Sequence, residues 1–339
     1  MSKPLMFAAI GIDHRHIYGQ AQQMMDIGWD FAAWWTEGTP TTMAGFEKRF
    51  GNIKRARDRQ SILQHDDIDL ILIAAVPADR ASLAIEAMEH GKDVMVDKPG
   101  CTTLAQLDRI KETVARTGRI WSIDFSERFE VPAVTMASRL VAEGAIGRVV
   151  QTVGLGPHRL NRNTRPDWFF QRARYGGILC DIASHQIDQF LHFTGAEDAE
   201  VAMARVANFS NPDTPELQDF GEISLRTPTA SGYIRVDWYT PDALPNWGDG
   251  RLFLVGTEGT IEMRKYCEFG ADARTDNLYL VNGERFEYMD ARESGLPYFQ
   301  NLTDDIINRT ETAMTQSHAF KVTQLAIHAQ ILAEQTTAS

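Results

Sequence analysis

The chain has 339 residues, enough for two domains of ordinary size, and 43% of them are hydrophobic, which is typical of a packed core. Its 34 Lys and Arg against 46 Asp and Glu give a net charge of −12, which disfavours binding to nucleic-acid phosphates. No segment approaches the roughly 20 apolar residues that span a bilayer. Three widely spaced cysteines suggest neither a disulfide framework nor a cysteine-based zinc site. We therefore expect a cytoplasmic protein with reduced thiols and with no nucleic-acid or membrane partner.

The first 125 residues alternate apolar segments with helical patterns. The continuous apolar run at residues 69–76 is typical of a strand buried on both faces of a parallel sheet. Strands that alternate with helices predict right-handed crossovers and a doubly wound parallel sheet. The predicted strands are 5–11, 31–35, 69–76, 94–96 and 120–125, and the predicted helices are 17–27, 43–50, 80–90 and 104–116.

From about residue 126 the pattern changes to alternating segments, which predict a mainly antiparallel sheet with one covered face. The predicted strands are 149–155, 201–209, 220–226, 231–239, 252–255, 260–264 and 277–281, and the predicted helices are 132–143, 178–193 and 319–333. No flexible linker is evident, so we divide the chain into domains 1–125 and 126–339, of which the last helix could return to the first domain. The cleft between the two domains is the default ligand site.

The first apolar strand ends in a loop of sequence GIDHRH, where a dinucleotide-binding fold usually carries G-x-G-x-x-G. Only Gly11 is in place, because Asp13 and His16 stand at the positions of the other two glycines. The histidines and the arginine of the loop could offset phosphate charge through their side chains. The alternative is a solvated turn in which Asp13 caps the next helix, and both interpretations can hold. We predict the Asp13 cap and the approach of at least one basic loop residue to the ligand.

Glu37 ends the second apolar run, 26 residues beyond Gly11 and near the spacing of about 20 at which an acidic residue binds the ribose hydroxyls. A carboxylate there would repel a 2′-phosphate, so the sequence favours NAD, although NADP stays possible. The alternative is a solvated turn residue before Gly38.

Three motifs together resemble the Gfo/Idh/MocA family, named after glucose–fructose oxidoreductase, inositol dehydrogenase and rhizopine catabolism. Asp97-Lys98-Pro99 follows a short strand where that family has Glu-Lys-Pro. The segment GGILCDIASHQID at 176–188 resembles its Gly-Gly…Asp-x-x-x-His-x-x-Asp helix, and GAIGRV at 144–149 resembles its Gly-x-Ile-Gly junction.

The resemblance implies an NAD(P)-dependent oxidoreductase that transfers a hydride between the cofactor and a sugar, a polyol or a related hydroxy compound. It also implies an N-terminal Rossmann domain, the doubly wound parallel sheet, followed by a C-terminal α/β domain with an open, mainly antiparallel sheet. In the family the outer face of that sheet often makes a dimer contact, so we expect a homodimer or a tetramer. The chain departs from the pattern in its first loop and at Arg80, where the family often has a histidine after Pro77.

The catalytic candidates are Lys98, Asp181 and His185. Asp181 and His185 are four residues apart on an apolar predicted helix and would project from one face, where buried polar groups need a reason to be present. We assign His185 as acid/base and Asp181 to a substrate hydroxyl or to the imidazole; a simple mutual hydrogen bond is the alternative. Lys98 follows a strand at the carboxyl edge of the sheet, where an ammonium can stabilise a developing alkoxide.

Other candidates lie near strand ends or in the loop 156–169, which mixes aromatic faces with charged hydrogen-bonding groups as sugar sites do. The alternatives are an interface or surface loop for these residues and a structural or cofactor-facing role for Arg128. The scatter of histidines and carboxylates predicts no metal. The cofactor-binding candidates are Gly11, Ile12, Asp13, His14, Arg15, His16, Glu37, Pro77 and Lys98, and the substrate-binding candidates are Arg128, His158, Arg165, Trp168, Asp181 and Trp238.

Three functions remain open at this point. The leading one is a dehydrogenase that acts on CH–OH groups. The second is a non-catalytic dinucleotide-binding sensor, which the altered first loop suggests. The third is a lyase or glycosidase that uses NAD for a transient oxidation. The sequence does not separate the first from the third.

Overall fold

A computed structural model describes residues 4–269 and 274–337, and the chain divides into two units. The first unit takes in residues 163–176 and 298–323, which were predicted to belong to a continuous second domain. The last helix of the chain is therefore divided: its residues up to Thr323 group with the first unit, and its residues from Gln324 onward group with the second. The first unit consists of Met1–Asp124, Asn163–Gly176 and Tyr298–Thr323, and the second of Phe125–Arg162, Gly177–Pro297 and Gln324–Ser339.

The first unit contains a six-stranded sheet in the order β3-β2-β1-β4-β5-β6, in which all pairs are parallel. This is the Rossmann order, with the direction of winding reversed between β1 and β4. The predicted doubly wound sheet is confirmed. Its strands are β1 (Met6–Ile10), β2 (Asp30–Trp35), β3 (Lys54–Arg55), β4 (Leu70–Ile73), β5 (Asp93–Asp97) and β6 (Trp121–Asp124).

Helices connect the strands of the first unit, and further helices occur in the second unit. The fifth helix begins with a capping box at Thr103. The Thr103 hydroxyl accepts from the Gln106 backbone N–H, and the Gln106 side chain accepts from the Thr103 N–H. The helices are α1 (Ile17–Asp26), α2 (Met43–Phe50), α3 (Gln60–Leu63), α4 (Pro77–Glu89), α5 (Leu104–Thr117), α6 (Ser126–Phe129), α7 (Pro132–Ala142), α8 (Arg172–Tyr175), α9 (Ile178–Asp181), α10 (Ala183–Thr194), α11 (Tyr298–Asn308) and α12 (Gln316–Thr337), with 3₁₀ turns at Arg162–Thr164 and Asp167–Phe170.

The second unit contains an eight-stranded sheet in the order β14-β13-β12-β11-β7-β10-β9-β8. Among the pairs of this sheet only the interior pair β7–β10 is parallel, so the predicted mainly antiparallel sheet is confirmed. The strands are β7 (Val149–Pro157), β8 (Glu200–Ala207), β9 (Phe220–Arg226), β10 (Ser231–Asp237), β11 (Arg251–Gly256), β12 (Gly259–Arg264), β13 (Asn277–Asn282) and β14 (Phe286–Asp290).

One face of this sheet is covered by helices of the same unit. Helix α10 packs on β7 and β10, and α7 packs on β12 and β13 around buried leucines such as Leu140, Leu254 and Leu280. A Cβ at Gly156 would lie 2.8 Å from the side-chain nitrogen of Gln186, so glycine at this point of β7 lets α10 approach closely.

The single predicted helix 178–193 is wrong in one respect, because it is interrupted at Ile182. Its backbone leaves ideal helical geometry there, and the His185 N–H donates to the Ile182 carbonyl three residues back at 3.1 Å. Asp181 therefore ends α9, whereas His185 lies in the first turn of α10. Strands β3 and β14 and helix α11 were not predicted. Strand β3 has two residues, both exposed, and β14 has five, of which four are exposed, so neither strand shows a buried–exposed alternation.

Among the described residues, no helix combines the length and apolarity that a membrane span requires.

Candidate functional site

The loop after β1 lies against the carboxyl ends of the two neighbouring strands of its unit. The Gly11 N–H donates to the Trp35 carbonyl at 2.8 Å, and the His14 N–H donates to the Ala74 carbonyl at 2.9 Å. Gly11 has φ +79°, and a Cβ there would lie 2.5 Å from the Cβ of Ala75. The one glycine that the loop retains is thus required by backbone conformation and by close approach to the residue beyond β4.

Helix α1 begins late, with His16 as its N-cap and no side-chain cap hydrogen bond from that residue. Asp13 lies three residues before the N-cap, and its carboxylate is stabilised by its own backbone N–H. The predicted Asp13 cap is therefore wrong, because the loop places an extra turn between that carboxyl and the helix. Burial raises the pKa of Asp13 to about 6, against the opposing charge of Arg80.

Asp97 is the centre of a buried charged cluster at the end of β5. Its carboxylate accepts from Arg80 Nη2 at 2.8 Å, and both residues are at most 1% exposed. Arg80, on α4, also donates to the carbonyls of Ala75 at 2.7 Å and of Asp97 at 2.8 Å. Burial alone would raise the pKa of Asp97, but Arg80 and two histidines hold it well below its usual range. Arg80, which departs from the family pattern, therefore has a defined electrostatic role here.

Those two histidines are His14 and His16 of the first loop. His14 Nδ1 lies 2.7 Å from Asp97 Oδ2, and His16 Nδ1 lies 2.8 Å from Asp97 Oδ1. The two rings meet edge to face with centroids 4.2 Å apart. Burial lowers the pKa of His14 to about 4, so this imidazole is neutral near pH 7. The sequence offered one signal for this cluster, a His-x-His in place of the second half of the glycine motif, and its link to Asp97 was missed.

Lys98 follows Asp97 directly and is 4% exposed. Its carbonyl accepts from Arg80, its bond to Pro99 is cis, and its positive charge contributes to lowering the pKa of His14. The predicted catalytic lysine therefore lies within electrostatic range of the histidine loop.

His14, His16 and Asp97 also bring three metal-binding atoms within 4.8 Å of one another. The sequence predicted no metal and did not consider this trio. Arg80 already neutralises the single carboxylate, and Lys98 adds a second positive charge nearby. A divalent cation would meet net repulsion, so hydrogen bonds among these groups account better for the arrangement.

The remaining cofactor candidates lie at the same edge of the first sheet. The Ile12 N–H donates to the Thr36 hydroxyl at 3.4 Å, which connects the first loop to the end of β2. Glu37 is the next residue and is exposed, and Pro77 is the first residue of α4. Their predicted contacts with a cofactor remain predictions.

In the second unit, Asp181 and His185 are both buried, with His185 only 1% exposed. The ring of Phe125 lies 6.3 Å from that of His185, edge to face. Because the helix is interrupted at Ile182, the two residues lie on successive helices, and the spacing of one regular helix does not place their side chains on a common face. Their assignment to catalysis stays a prediction that rests on the motif.

Arg128 forms a two-point ion pair with Asp188, the last residue of the same motif, with both N–O distances at 2.7 Å. This contact supports the structural alternative for Arg128. Sequence reasoning missed a buried neighbour of this pair, in which Lys265 Nζ donates to Glu127 Oε2 at 2.7 Å and to Gln189 Oε1 at 2.9 Å. Nothing in the spacing of these residues along the chain indicates that they meet.

The other substrate candidates belong to different units. His158 and Trp238 come together at the ends of β7 and β10, with ring centroids 5.4 Å apart, and Trp247 lies 4.5 Å from His158. Arg165 and Trp168 belong to the first unit, where the Arg165 guanidinium stacks 4.4 Å from the Phe169 ring.

Family models match most of the chain. Residues 17–125 match the oxidoreductase family with an NAD-binding Rossmann fold, and residues 134–262 match the GFO/IDH/MocA C-terminal domain. A crystal structure from Erwinia carotovora atroseptica SCRI1043, provisionally described as an oxidoreductase, shares 45% identity, covers 97% of this chain and 98% of its own, and superposes with a TM-score of 0.94.

Two curated relatives have defined activities. The levoglucosan dehydrogenase of Pseudarthrobacter phenanthrenivorans is 32% identical over 56% of this chain, and the scyllo-inositol 2-dehydrogenase (NAD⁺) of Bacillus subtilis is 27% identical over 63%. The matched segments span 48% and 60% of those relatives. A levoglucosan dehydrogenase complex with NADH and levoglucosan has the same fold, with a TM-score of 0.82 at 19% identity and 98% coverage of both chains. The chain belongs to the GFO/IDH/MocA family of oxidoreductases, whose N-terminal domain is an NAD-binding Rossmann fold.

Proposed function

We propose that this protein is an NAD-dependent dehydrogenase that oxidises a CH–OH group of a sugar or polyol. The observation that carries the proposal is the buried lysine at the carboxyl edge of the NAD-binding sheet, fixed beside the Asp97–Arg80 pair. Relatives named for levoglucosan and scyllo-inositol support the substrate class.

In the proposed reaction the substrate's O–H and C–H bonds both break. NAD, when bound, supplies the acceptor for the hydride from carbon. Lys98 donates a hydrogen bond to the oxygen and stabilises its developing negative charge, and His185 accepts the hydroxyl proton at a ring nitrogen. Asp181 binds a neighbouring hydroxyl or orients the imidazole. These roles explain why a lysine and a histidine are buried at all, since burying either group costs free energy.

The test is incubation of purified protein with NAD and a panel that includes levoglucosan, scyllo-inositol, sugars and sugar acids. A dehydrogenase accumulates reduced cofactor in proportion to oxidised substrate. Product without accumulated reduced cofactor would instead indicate transient oxidation. Tight cofactor binding with no turnover on any member of the panel would favour the sensor.

We predict that the protein binds NAD more tightly than NADP and that Glu37→Ser narrows the difference. Two negative charges about 4 Å apart in water repel by ~1 kcal/mol, which corresponds to roughly a fivefold change in affinity. Calorimetric titration with both cofactors measures the ratio of the two affinities. Glu47→Ser, at an exposed glutamate of α2, is the matched control and should leave the ratio unchanged. A preference for NADP in the unmodified protein would show that Glu37 does not bind the ribose.

We also propose a homodimer built on the face of the second sheet that α7 and α10 leave uncovered, here called the open face. Cross-strand pairing aligns large side chains across it, and Tyr288 at its edge is 44% exposed. A twofold pairing of such faces would remove an apolar patch from water. The aligned residues are Tyr233, Val153, Phe253, Glu262, Tyr279 and Tyr288, and the Glu262 carboxylate is neutralised by Arg264 at 2.9 Å.

Light scattering at micromolar concentration should give at least twice the mass of one chain, and Phe253→Asp should give the mass of a monomer. A carboxylate at the centre of an apolar contact is costly to bury, whereas on a free surface it is harmless. Ile307→Asp is the control, because Ile307 is 58% exposed on α11 of the first unit. A monomeric mass for the unmodified protein would contradict the proposed dimer.

We also propose a cytoplasmic location, which the state of the cysteines supports. Cys101, Cys180 and Cys267 are all buried and none is in a disulfide. Such thiols persist without special protection in a reducing compartment.

A further inference from the structure

Two imidazoles share one carboxylate at the end of β5. His14 Nδ1 and His16 Nδ1 lie 2.7 and 2.8 Å from different oxygens of Asp97. Arg80, on α4, donates from Nη2 to the same carboxylate at 2.8 Å, and Asp97 is fully buried. The carboxylate cannot turn without breaking all three contacts, so it is a fixed anchor for both rings.

This anchor determines the tautomer of each ring. An ionised carboxylate only accepts hydrogen bonds, so a ring nitrogen within 2.8 Å of it must carry the hydrogen. His16 Nδ1 donates to Asp97 Oδ1 in this way. His14 Nδ1 lies 2.7 Å from Asp97 Oδ2 without the alignment of a full hydrogen bond, but a bare lone pair that close to a carboxylate oxygen would be repelled, so its proton is also favoured on Nδ1. In a neutral imidazole the second nitrogen, Nε2, is then a hydrogen-bond acceptor. The side chains of His14 and His16 are 21% and 31% exposed, so parts of both rings face the exterior of the loop.

Two hydrogen-bond acceptors do not suit the phosphate groups that this loop usually binds in dinucleotide-binding folds. A phosphate oxygen carries no hydrogen to donate near neutral pH, so an imidazole Nε2 would repel it. Hydroxyl groups donate, and a dinucleotide offers them on its riboses. The sheet order assigns one nucleotide to β1–β3 and the other to β4–β6. Glu37 follows β2 and belongs to the adenosine half, whereas Asp97 ends β5 in the nicotinamide half.

We propose that Asp97 fixes His14 and His16 as paired hydrogen-bond acceptors for the hydroxyl groups of the nicotinamide ribose. The inference rests on the proposed function for its ligand, and it explains why the loop can lose two glycines. Side chains anchored through β5 replace part of the recognition that backbone amides provide in a G-x-G-x-x-G loop. His14 and His16 are binding residues in this account, and Asp97 is a positioning residue.

The tautomers can be measured without any ligand. In protein labelled with ¹⁵N-histidine, two-bond proton–nitrogen correlations distinguish a ring protonated on Nδ1 from one protonated on Nε2. The signals of each ring are assigned by their loss in His14→Asn or in His16→Asn. In the unmodified protein these signals should show the hydrogen on Nδ1 near neutral pH. Asp97→Asn should shift both rings toward the other tautomer. Hydrogen on Nε2 in the unmodified protein, or stoichiometric metal with metal-bound ring shifts, would overturn the proposal.

Binding is measured by calorimetry with NAD and with two analogues that each lack one hydroxyl of the nicotinamide ribose. His14→Asn keeps an amide donor for Asp97 but removes the Nε2 acceptor, so it should weaken NAD binding roughly 2–10-fold. His14→Gln, whose amide reaches the position of Nε2, should retain most of the affinity. His90→Asn, at an exposed histidine of the same unit, should change nothing.

The analogues identify the contacted group. An analogue that lacks the contacted hydroxyl should bind the unmodified protein and His14→Asn equally. If His14→Asn weakens NAD and both analogues by the same factor, or weakens none of them, the proposed ribose contact is wrong while cofactor binding stands. Unmodified protein that binds no NAD would contradict the proposed function and this contact together, whereas the tautomer measurement would still report on the anchor.

Discussion

Asp97→Leu should lower the free energy of unfolding by about 3–5 kcal/mol, the usual cost of leaving one member of a buried ion pair alone. Arg80 is 1% exposed and its Nη2 lies 2.8 Å from the carboxylate, so the mutation leaves a buried guanidinium without its counter-charge. His14 and His16 lose their anchor in the same step. Urea denaturation of the mutant and the unmodified protein measures the difference.

The double mutant Asp97→Leu/Arg80→Leu serves as the control. Because replacing a whole buried pair by apolar groups is often neutral, it should recover part of the lost stability. The recovery is incomplete because the Ala75 and Asp97 carbonyls lose the hydrogen bonds that Arg80 donates. If the double mutant is as unstable as Asp97→Leu, lost packing and lost carbonyl hydrogen bonds outweigh the unpaired charge, which would contradict the electrostatic role assigned to the pair.

The same pair predicts a pH dependence. The pKa of Asp97 is held below its usual value in the folded state, so its contribution to stability is present above the unfolded pKa of about 3.9. That contribution is lost as the pH falls from there through the folded pKa. The free energy of unfolding should therefore fall less steeply with decreasing pH in the double mutant than in the unmodified protein.

Lys98→Ala and His185→Asn should each reduce turnover by about a hundredfold or more without unfolding the protein. The first removes the group that stabilises negative charge on the substrate oxygen, and the second removes the proton acceptor. Steady-state rates on whichever member of the substrate panel turns over measure both effects, with thermal unfolding as the check on folding. Lys48→Ala and His328→Asn change exposed residues and should retain the rate. Near-normal turnover in either test mutant would remove that residue from the mechanism.

The pH profile separates the two residues further. If His185 accepts the proton, the acid limb of the turnover profile should disappear in His185→Asn and persist in Lys98→Ala. An acid limb that is the same in both variants would assign the proton transfer to another group.

The sheet architecture followed directly from the chain's hydrophobic pattern. β4 is buried throughout and β5 likewise, which is why a continuous apolar run at 69–76 indicated a central parallel strand. The alternation along β10 gave the second sheet in the same way, with Gly232, Ile234 and Val236 on the covered side. Short elements such as β3 were missed, because two exposed residues carry no period.

The site could be predicted only where one motif contained the relevant residues. Lys98 and His185 stood out because each lies in a recognisable local pattern. The anchor of the histidine loop did not, since His14 and Asp97 are 83 residues apart in the chain and meet only through the adjacency of β1, β4 and β5. The Asp13 cap was predicted wrongly for the related reason that the start of α1 depends on how the loop packs on Ala74 and Ala75.

Calorimetric titration of the unmodified protein with NAD and NADH tests the central claim most directly, because every proposed role depends on a loop that has lost two of its three glycines. The account predicts saturable binding of one cofactor per chain, with His14→Asn weaker than the unmodified protein. Absence of binding to either cofactor, in protein that unfolds cooperatively and is therefore folded, would contradict the dehydrogenase assignment.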